Sequence, residues 1–279
     1  MLVLETIDAF RAARQLGGVL GLVPTMGFLH AGHLALVERA RGENQTVAVS
    51  IFVNPTQFGP KEDLARYPRD LPRDLRMLEA AGTDLVFVPS VEQMYPADFS
   101  TSVDVSGVTA VLEGAVRPGH FRGVATVVCK LFNIVDAERA YFGQKDVQQT
   151  VVIRRMVRDL NLRTEVVVVP TIREPDGLAL SSRNTYLNPE QRAAAPVLFR
   201  ALEAARGCWE AGEQSAAVLR EAIQEVLGRE PLARVDYISV ADPDTLAELD
   251  HATQGAVISL AVRIGKTRLI DNLILPPGE

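Results

Sequence analysis

The sequence "VLGLVPTMGFLHAGHL", Val19 to Leu34, starts as an apolar run and continues into a turn that carries two glycines and two histidines. An apolar, partly β-branched run followed by glycine and then by a stretch of helical period predicts a strand, a tight turn and a helix. In open α/β sheets, ligands bind at such turns, beyond the carboxyl ends of the strands. The stretch therefore predicts one β–α unit of such a sheet, with a binding site at its turn.

The same alternation of strand and helix continues to about residue 175. Apolar and β-branched runs predict strands at Val19–Val23, Thr46–Val53, Asp84–Pro89, Arg139–Phe142 and Thr164–Val169. Helical periodicity between them predicts helices at His33–Arg41, Arg69–Ala81, Val124–Val135 and Val147–Leu160. Strands that alternate with helices predict an α/β fold with a doubly wound, mainly parallel, Rossmann-like sheet.

The pattern changes near Thr171–Asp176, where a second, smaller α+β C-terminal domain is expected to begin. Asn188 is followed by Pro189, which is typical of a helix start, and Pro196 predicts a break in the helix that follows. The helical runs end near residue 228, and strand-like runs follow in "RVDYISVA", "GAVISLAVRI" and "TRLIDNLIL". We predict a Rossmann-like first domain over residues 1–174 and a smaller domain over residues 175–279.

Composition narrows the function classes. The chain has 279 residues, a formal net charge of -6, 47% hydrophobic residues and two cysteines. This charge gives no reason to expect nucleic acid or an anionic membrane as partner, and no apolar run reaches the roughly 18 residues of a membrane span. Charges interrupt the apolar residues of the N-terminus, which therefore does not resemble a signal peptide, and we expect a cytoplasmic protein. Two cysteines are too few for a disulfide framework.

The histidine pair predicts phosphate chemistry. His30 and His33 are expected to share one face of the helix that begins here, while Gly27 lets a ligand approach the backbone closely. A helix N-terminus offers N–H groups and partial positive charge to a phosphate, and two imidazoles can stabilise the charge that builds up in a transition state. A structural reading, with one capping histidine and one core histidine, is the less favoured alternative. A metal site is disfavoured because no third ligand stands nearby in sequence.

Amides and a lysine follow two other predicted strands. Asn54 and Gln57 come after the second strand and suit a hydroxyl or carboxylate ligand, although capping of the loop explains them equally well. Lys145 opens a helix, where a cation opposes the helix dipole unless an anion binds there. Asp146 suits ribose hydroxyls, and Gln149 lies on the same helix face as Lys145. A solvated helix start is the alternative.

Two further segments contain arginine. In "LEGAVRPGHFRGVATVV", Arg117 suits a carboxylate or phosphate, and a structural ion pair with Glu113 is equally plausible. In "GLALSSRN", Arg183 and the two serines before it suit a loop that closes over a triphosphate. Together, the segments predict a nucleotide site that has neither a P-loop nor a G-x-G-x-x-G turn. The chemistry that fits is attack by a substrate anion on an α-phosphate, with pyrophosphate leaving.

Five ordered motifs carry a resemblance to a known family: "PTMGFLHAGHL", "SIFVNPTQF", "RPGHFRGVATVV", "YFGQKDVQQ" and "GLALSSRN". The H-x-G-H turn resembles the nucleotidyltransferase superfamily. The full set resembles the pantothenate synthetase (pantoate–β-alanine ligase) family, in order from about Val23 to Asn188, and more weakly in the C-terminal domain. The resemblance implies a Mg²⁺-dependent reaction in which pantoate and ATP form pantoyl adenylate and pyrophosphate. The amine of β-alanine then displaces AMP to give pantothenate.

The resemblance also implies residue roles. Catalytic roles fall to His30, His33 as proton donor, Lys145 and Arg183. Pantoate would be held by Gln57 and Gln149, with Asn54 supporting them and Gln57 close to β-alanine. The residues implied in binding ATP are Met26, Gly27, His30, His33, Gly143, Gln144, Lys145, Asp146, Ile172, Leu180, Ser181, Ser182 and Arg183. The family is typically a homodimer joined through its N-terminal domains, and the same is expected here.

Two positions depart from the family pattern. Leu180 stands where the family usually has methionine, a change that nearly conserves volume. Arg73 stands where some relatives carry a second acid, so we assign no protein ligand to the metal and expect magnesium on the ATP phosphates. The rival hypotheses are an adenylyltransferase that leaves the nucleotide on its product and a non-catalytic nucleotide-binding regulator. Size and acidity disfavour a tRNA synthetase.

Overall fold

The computed structural model describes residues 1–14, 18–60, 62 and 64–277. The chain forms two compact units: Met1–Gln144 with Val152–Pro170, and Lys145–Val151 with Thr171–Glu279. The domain boundary predicted between residues 174 and 175 stays a prediction, because compactness is a different criterion from independent folding.

The first unit contains six strands and most of the helices that connect them. The strands are β1 (Leu2–Leu4), β2 (Leu20–Thr25), β3 (Thr46–Ile51), β4 (Leu85–Phe87), β5 (Arg139–Gly143) and β6 (Glu165–Val169). The helices are α1 (Ile7–Arg14), α2 (Ala31–Glu43), α3 (Leu71–Ala80), α4 (Val91–Met94), α5 (Glu113–Val116), α6 (His120–Val135) and α7 (Val147–Asp159), whose first residues belong to the second unit.

All six strands are parallel, in the order β1-β4-β3-β2-β5-β6. The chain runs outward from β2 through β3 and β4, and then adds β5 and β6 on the other side of β2. The direction therefore reverses between β2 and β5, which is where open sheets of this kind bind ligands. β2 pairs with β3 over six residues but with β5 only at Gly21 and Leu22, so β2 and β5 stop pairing before their carboxyl ends.

Helices cover both faces of this sheet. On one face, Val37 of α2 and Leu78 of α3 pack against Val47 and Val49 of β3. On the other face, Phe10 of α1 contacts Phe87 of β4, with 5.2 Å between the ring centroids. Because strands buried on both faces must be apolar throughout, the near-continuous apolar runs are sufficient to predict them.

Within the described residues, the second unit contains the start of α7 and three further helices, α8 (Pro189–Ala194), α9 (Val197–Glu210) and α10 (Ala216–Gly228). Its three strands are β7 (Ala233–Ala241), β8 (Ala256–Ile264) and β9 (Thr267–Leu275). The predicted helix start is confirmed: Asn188 caps α8 by accepting a hydrogen bond from the backbone N–H of Gln191 at 2.8 Å. The predicted break is also confirmed, since Pro196 separates α8 from α9.

The three strands form an antiparallel sheet in the order β7-β8-β9. One face of β8 carries Ile258, Leu260 and Val262, which pack with Leu202 of α9 and Ile223 of α10 in one core. The apolar residues of β8 therefore attach the sheet to both helices. This is the small α+β arrangement that the sequence predicts.

The predicted fold class is confirmed, with small differences in the bounds of the elements. The strand predicted at Val19–Val23 is observed at Leu20–Thr25, and the helix predicted from His33 begins at Ala31. The three-residue strand β1 was not predicted, because so short an edge strand has too few residues to show alternation. Among the described residues, none of the helices combines the length and apolar character that crossing a membrane requires.

Candidate active site

The two histidines close the turn between β2 and α2. His30 is the N-cap residue of α2, and its Nδ1 accepts a hydrogen bond from the backbone N–H of Gly32 at 3.2 Å. Nδ1 of His33 accepts in turn from the backbone N–H of His30 at 3.3 Å, and the ring centroids are 4.1 Å apart. Because each Nδ1 accepts, each neutral ring carries its hydrogen on Nε2 and is a donor there.

This capping arrangement differs from the predicted one. We expected both rings on one face of the helix, whereas His30 precedes the helix and only His33 lies within it. Mutual capping holds the two rings together and also satisfies two of the N–H groups that a helix N-terminus leaves without partners. The pair is therefore part of the turn's structure and a pair of Nε2–H donors at the same time.

A buried carboxylate holds the same turn from α3. Asp74 is 1% exposed, and its two oxygens accept from the backbone N–H groups of Phe28 at 2.7 Å and Leu29 at 2.8 Å. The Arg73 guanidinium lies 3.9 Å from one oxygen of Asp74 and 5.3 Å from the centroid of the Phe28 ring. A buried carboxylate is tolerated where N–H donors satisfy both of its oxygens. Asp74 therefore fixes the backbone that leads into the histidine pair.

The backbone of this turn needs glycine at one position. Gly27 has φ +78°, and a Cβ there would lie 3.0 Å from Cγ2 of Ile51 and 3.1 Å from Oδ2 of Asp74. The next residue, Phe28, also has a positive φ of 51°, which is uncommon for a residue with a side chain. The two amides held by Asp74 directly follow Gly27, so the hydrogen bonds offset the strain of this conformation.

The amides after β3 form a second, connected loop. Asn54 is 1% exposed and caps a 3₁₀ turn over Pro55–Gln57. Its Oδ1 accepts a hydrogen bond from the hydroxyl of Tyr95 at 2.8 Å, and its Nδ2 donates one to Oε1 of Gln57 at 3.0 Å. Burial raises the pKa of Tyr95, so this hydroxyl stays a neutral donor. Nε2 of Gln57 lies 3.2 Å from Sδ of Met26, which joins this loop to the histidine turn.

His120, the first residue of α6, contacts the backbone of the same loop. Nδ1 of His120 lies 2.8 Å from the carbonyl oxygen of Gln57, and Nε2 lies 3.0 Å from a guanidinium nitrogen of Arg117. Arg117 can only donate, so Nε2 of His120 accepts and Nδ1–H donates to Gln57. Burial first, and the Arg117 charge second, lower the pKa of His120 to about 4, which keeps the ring neutral.

Arg117 forms its ion pair with Glu62, which lies 55 residues away in sequence. The guanidinium donates to both oxygens of Glu62, at 2.8 and 2.7 Å. Burial raises the pKa of Glu62, but the hydrogen bond and charge of Arg117 outweigh it, and the net effect lowers the pKa. The helix α6 also packs closely against the loop of Asn54 and Gln57, since a Cβ on Gly123 of α6 would lie 2.4 Å from the carbonyl oxygen of Thr56. The sequence leaves open whether Arg117 binds a ligand or forms an ion pair with Glu113. In the structure, its bidentate partner is Glu62 instead.

Gly143 is the last residue of β5 and Gln144 follows it, beyond the two residues at which β5 pairs with β2. A Cβ on Gly143 would meet no atom within 4 Å, so the space in front of this backbone is open. In the first unit, the structure therefore brings together Met26, the histidine pair and Gln57 around the reversal point of the sheet.

The remaining predicted residues belong to the second unit. Lys145 is mostly buried, with Nζ 3.9 Å from Oδ1 of Asp146, and Gln149 is half-buried one turn further along α7. The backbone N–H of Leu180 donates to the carbonyl of Ile172 at 3.0 Å, which closes a short hairpin.

The serines and arginine follow directly after that hairpin. Ser181 caps a 3₁₀ turn over Ser182–Tyr186, and its Oγ accepts from the backbone N–H of Arg183 at 3.3 Å. Nδ2 of Asn184 donates to the carbonyl of Ala179 at 3.0 Å, so the turn is attached to the hairpin. Local hydrogen bonds therefore order the segment that carries Arg183.

Neither Asp74 nor Tyr95 was among the predicted site residues. Both act on loops that lie far away in sequence, and a single sequence gives no sign of such contacts. Asp74 lies inside the helix predicted at Arg69–Ala81, where an acid near the start is common for the helix's own sake. Among the described residues, no group of three or more His, Cys, Asp or Glu side chains could hold a metal ion.

Comparison with known proteins identifies the family of the chain. Residues 2–274 match the family described as Pantoate-beta-alanine ligase. The chain is 65% identical to a pantothenate synthetase of Herpetosiphon aurantiacus, over 99% of this chain and all of the relative, and 66% identical to one of Chloroflexus aggregans over the same shares.

Two crystal structures resemble the whole chain. Pantothenate synthetase from Thermus thermophilus has a TM-score of 0.96 and 56% identity, with 99% of this chain and 100% of that chain covered. Pantoate-beta-alanine ligase from Francisella tularensis, complexed with beta-gamma ATP and beta-alanine, has a TM-score of 0.81 and 35% identity, with 98% and 97% covered. The chain belongs to the pantoate–beta-alanine ligase family.

Proposed function

We propose that this chain is an ATP-dependent acid–amine ligase that condenses pantoate with β-alanine to pantothenate, through pantoyl adenylate. Family membership over almost the full length supports the reaction, and the ligands of the Francisella tularensis ligase support ATP and β-alanine as substrates. The observation that carries the proposal is the mutually capped histidine pair beside the reversal point of the sheet.

In the first step, a carboxylate oxygen of pantoate attacks the α-phosphorus of ATP. The new bond joins this oxygen to phosphorus, the bond from phosphorus to the bridging oxygen of the β-phosphate breaks, and pyrophosphate leaves with that electron pair. The Nε2–H groups of His30 and His33 donate to the phosphate oxygens as negative charge moves onto the leaving group. The proton-donor role is assigned to His33: its Nε2–H donates a hydrogen bond to the leaving pyrophosphate, which takes its proton from solvent, so the ring stays neutral.

The loop of Asn54 and Gln57 is assigned to pantoate. The side-chain amide of Gln57 is oriented by Asn54 and Met26, while His120 holds the backbone carbonyl of the same residue. An amide can accept from a hydroxyl and donate to a carboxylate, which matches a hydroxy acid. Gln149 is assigned to the same substrate, and Gln57 also lies next to the proposed path of β-alanine.

The nucleotide is assigned to the residues that the resemblance implies. Met26, Gly27, Gly143 and Gln144 are assigned to ATP, and the open space in front of the Gly143 backbone leaves room for it. Lys145 and Arg183 are assigned to its phosphates. Asp146 is assigned to the ribose and Ile172 to the adenine. Leu180, Ser181 and Ser182 are assigned to the loop that closes over the phosphates. A lysine that opens a helix and lies mostly buried is favoured when an anion binds beside it.

In the second step, the neutral amine of β-alanine attacks the acyl carbon of pantoyl adenylate. The C–N bond forms, the bond from the acyl carbon to the phosphate oxygen breaks, and AMP leaves. The amine loses one proton to solvent or to a base in the site. The protein's part is to align the two reactants and exclude water from the mixed anhydride.

Magnesium, a homodimer and a cytoplasmic location are proposed with this function. The described residues gather no cluster of three metal-binding side chains, so we propose that the ion arrives on the phosphates of ATP. Light scattering on the purified chain tests the homodimer. A stable monomer at micromolar concentration would refute it.

Pyrophosphate release tests the proposed function directly. Purified protein is mixed with ATP and Mg²⁺, with or without pantoate, before any β-alanine is added. We expect a burst of pyrophosphate that requires pantoate, which becomes steady turnover with AMP once β-alanine is added. ATP binding with no pantoate-dependent burst would refute the proposal, and a stable adenylylated product would indicate an adenylyltransferase instead.

A further inference from the structure

Asp271 and Asn272 are adjacent in β9 and contact two different loops of the second unit. Successive side chains of a strand point to opposite faces of the sheet. Asp271 pairs in register with Leu260, whose side chain lies in the core with α9 and α10, whereas Asn272 pairs with Ser259 on the other face. Both side chains are buried, at 3% and 1% exposure. Neither residue belonged to a motif that the sequence singled out.

On its own face, Asp271 is bound by Arg173. The guanidinium donates to Oδ2 at 2.6 Å and to Oδ1 at 2.9 Å, a bidentate pair. The backbone N–H of Asn272 also donates to Oδ1 of Asp271 at 2.8 Å. Arg173 lies over the ring of Phe199, 4.3 Å from its centroid, so the guanidinium is held on both sides. A bidentate ion pair that is mostly buried fixes geometry more tightly than a surface pair does.

Arg173 transmits this hold to the loop that carries Arg183. Its Nη1 donates to the carbonyl of Gly177 at 3.0 Å, and its backbone bridges to Ala179 across the short hairpin. The carbonyl of Ala179 accepts from Nδ2 of Asn184, which lies in the 3₁₀ turn with Arg183. An unbroken series of polar contacts therefore runs from Asp271 to the turn of Arg183.

On the opposite face, Asn272 holds the backbone of Lys145. Its Nδ2 donates to the carbonyl oxygen of Lys145 at 2.9 Å. This carbonyl lies in the 3₁₀ turn Gln144–Asp146, which directly precedes α7. An amide that is 1% exposed has little freedom to move, so the hydrogen bond fixes where the Lys145 side chain leaves the backbone.

We propose that Asp271 and Asn272 are positioning residues that fix Lys145 and the turn of Arg183 to one strand. The inference rests on the proposed function, which assigns both cations to the phosphates of ATP. Two cations held by one rigid strand reach the same triphosphate in a fixed geometry, without a further loss of conformational freedom. We call Asp271 and Asn272, together with the contacts that they make to these two segments, the brace. The substrate whose binding the brace supports is therefore a nucleoside triphosphate.

A purely structural role would also explain burial, so the test is a pair of double-mutant cycles. The first cycle combines Asn272→Leu, which keeps the branching at Cγ but removes the donor, with Lys145→Ala. The second combines Asp271→Asn with Arg183→Ala. Rates of pantoate-dependent pyrophosphate formation are measured for each single and double variant at saturating ATP. Circular dichroism and thermal unfolding establish the folded fraction of each variant.

We expect Asn272→Leu to lower kcat by about 10- to 100-fold, since small displacements of a catalytic group cost rates of this order. In the Lys145→Ala background, the same change should lower kcat by no more than about 3-fold, because there is no ammonium left to position. Asp271→Asn should behave in the same way against Arg183→Ala. The KM for pantoate should change little in the single variants.

Asp236→Asn is the matched control. Asp236 lies in β7 of the same sheet and pairs with Arg263 and Arg268, but it is exposed and contacts no proposed site residue among the described ones. Its kcat should equal that of the wild type.

Equal losses of kcat in both backgrounds, or no loss in either cycle, would overturn the brace. If one of the two variants does not fold, the other cycle decides the matter alone. A wild-type chain that forms no pyrophosphate with pantoate would instead refute the proposed function. If the wild type is active and the effects of the two substitutions in each cycle simply add, only the brace is refuted and the proposed function stands.

Discussion

Two buried aspartates hold the two groups of proposed catalytic residues, and they do so in different ways. Asp74, in the first unit, accepts directly from the backbone N–H groups of Phe28 and Leu29 in the histidine turn. Asp271, in the second unit, acts through a guanidinium, since both of its oxygens accept from Arg173, which then holds the hairpin. Both carboxylates are almost fully buried.

The difference lies in what is left behind when the carboxylate is lost. Without Asp74, two neutral amides lose their partners in a turn that already contains two residues with positive φ. Without Asp271, a mostly buried guanidinium loses its counter-charge. An unpaired buried charge costs more than unpaired amides do, so the second unit should be the more sensitive of the two in stability. The first unit, which supplies the histidines, should be the more sensitive in rate.

The largest expected effect on rate is at the histidine turn. His33→Ala should lower the rate of pantoyl-adenylate formation by about 10²–10³-fold, because one hydrogen-bond donor to developing charge is worth that much. Rapid-quench measurement of the pyrophosphate burst gives this rate. His251→Ala is the control, since His251 is an exposed histidine of the other unit. Near-wild-type burst rates in His33→Ala would refute the role of the pair.

The second effect is on stability, at Asp271. Asp271→Asn should lower the free energy of unfolding by about 3–5 kcal/mol, because it leaves Arg173 buried without its carboxylate. Urea unfolding, followed by circular dichroism, measures this change. If Asp271→Asn lowered the free energy of unfolding by less than Asp74→Asn does, an unpaired buried charge would not cost more than unpaired amides here. The comparison of the two aspartates would then be contradicted.

The third effect depends on pH and sharpens the account of the first unit. The pKa of His120 is about 4 when folded, against an ordinary value of 6.5, so the unfolded chain binds the proton first. Stability is therefore lost as pH falls from about 6.5 to about 4, by up to about 3 kcal/mol, with no further loss from this group below that range. The hydrogen bond to the backbone of Gln57, and then the charges of Glu62 and Glu113, raise the pKa of His120, but burial and the charge of Arg117 outweigh them.

The His120→Asn variant isolates this pH effect. Asparagine keeps an N–H donor in the place of Nδ1 but does not titrate. The stability advantage of the wild type over the variant should therefore shrink as pH falls from 7 to 4, in urea unfolding at each pH. Parallel stability curves for the two proteins would show that His120 does not titrate in this range.

The smallest of the four effects is at Asp74. Asp74→Asn keeps one accepting oxygen but turns an amide donor toward the second backbone N–H. The loss in the free energy of unfolding should be about 1–3 kcal/mol, the cost of an unsatisfied buried donor. The pyrophosphate burst should slow more than stability alone explains, because the turn leads directly into His30. A full-rate burst in a folded Asp74→Asn protein would show that the turn keeps its shape without the carboxylate.

Much of the fold could be predicted because its evidence is local. The strands β2 to β6 are apolar runs, and the helix start at Asn188 and the break at Pro196 follow from the chemistry of two residues. The strand β1 could not be predicted, since three edge residues carry no readable period. The order of the strands depends on pairing between distant segments, which the apolar pattern does not encode.

The site divides in the same way. His30, His33 and Lys145 could be selected from their place after a predicted strand. Asp74 and Asn272 could not, because their contacts lie 45 and 127 residues away in sequence and nothing local distinguishes them from a helix acid and a strand amide. The residues proposed to touch the ligand were thus predictable, whereas those that hold these residues in place required the structure.

Transfer of an oxygen atom tests the central claim most directly. Pantoate labelled with ¹⁸O in both carboxylate oxygens is converted with ATP and β-alanine, and the AMP is analysed by mass spectrometry. If the carboxylate attacks the α-phosphorus, the oxygen that forms the anhydride stays with phosphorus when the amine displaces AMP. The account therefore predicts one ¹⁸O in each AMP and one in each pantothenate. AMP without label would contradict the acyl adenylate, and with it the roles proposed for both units.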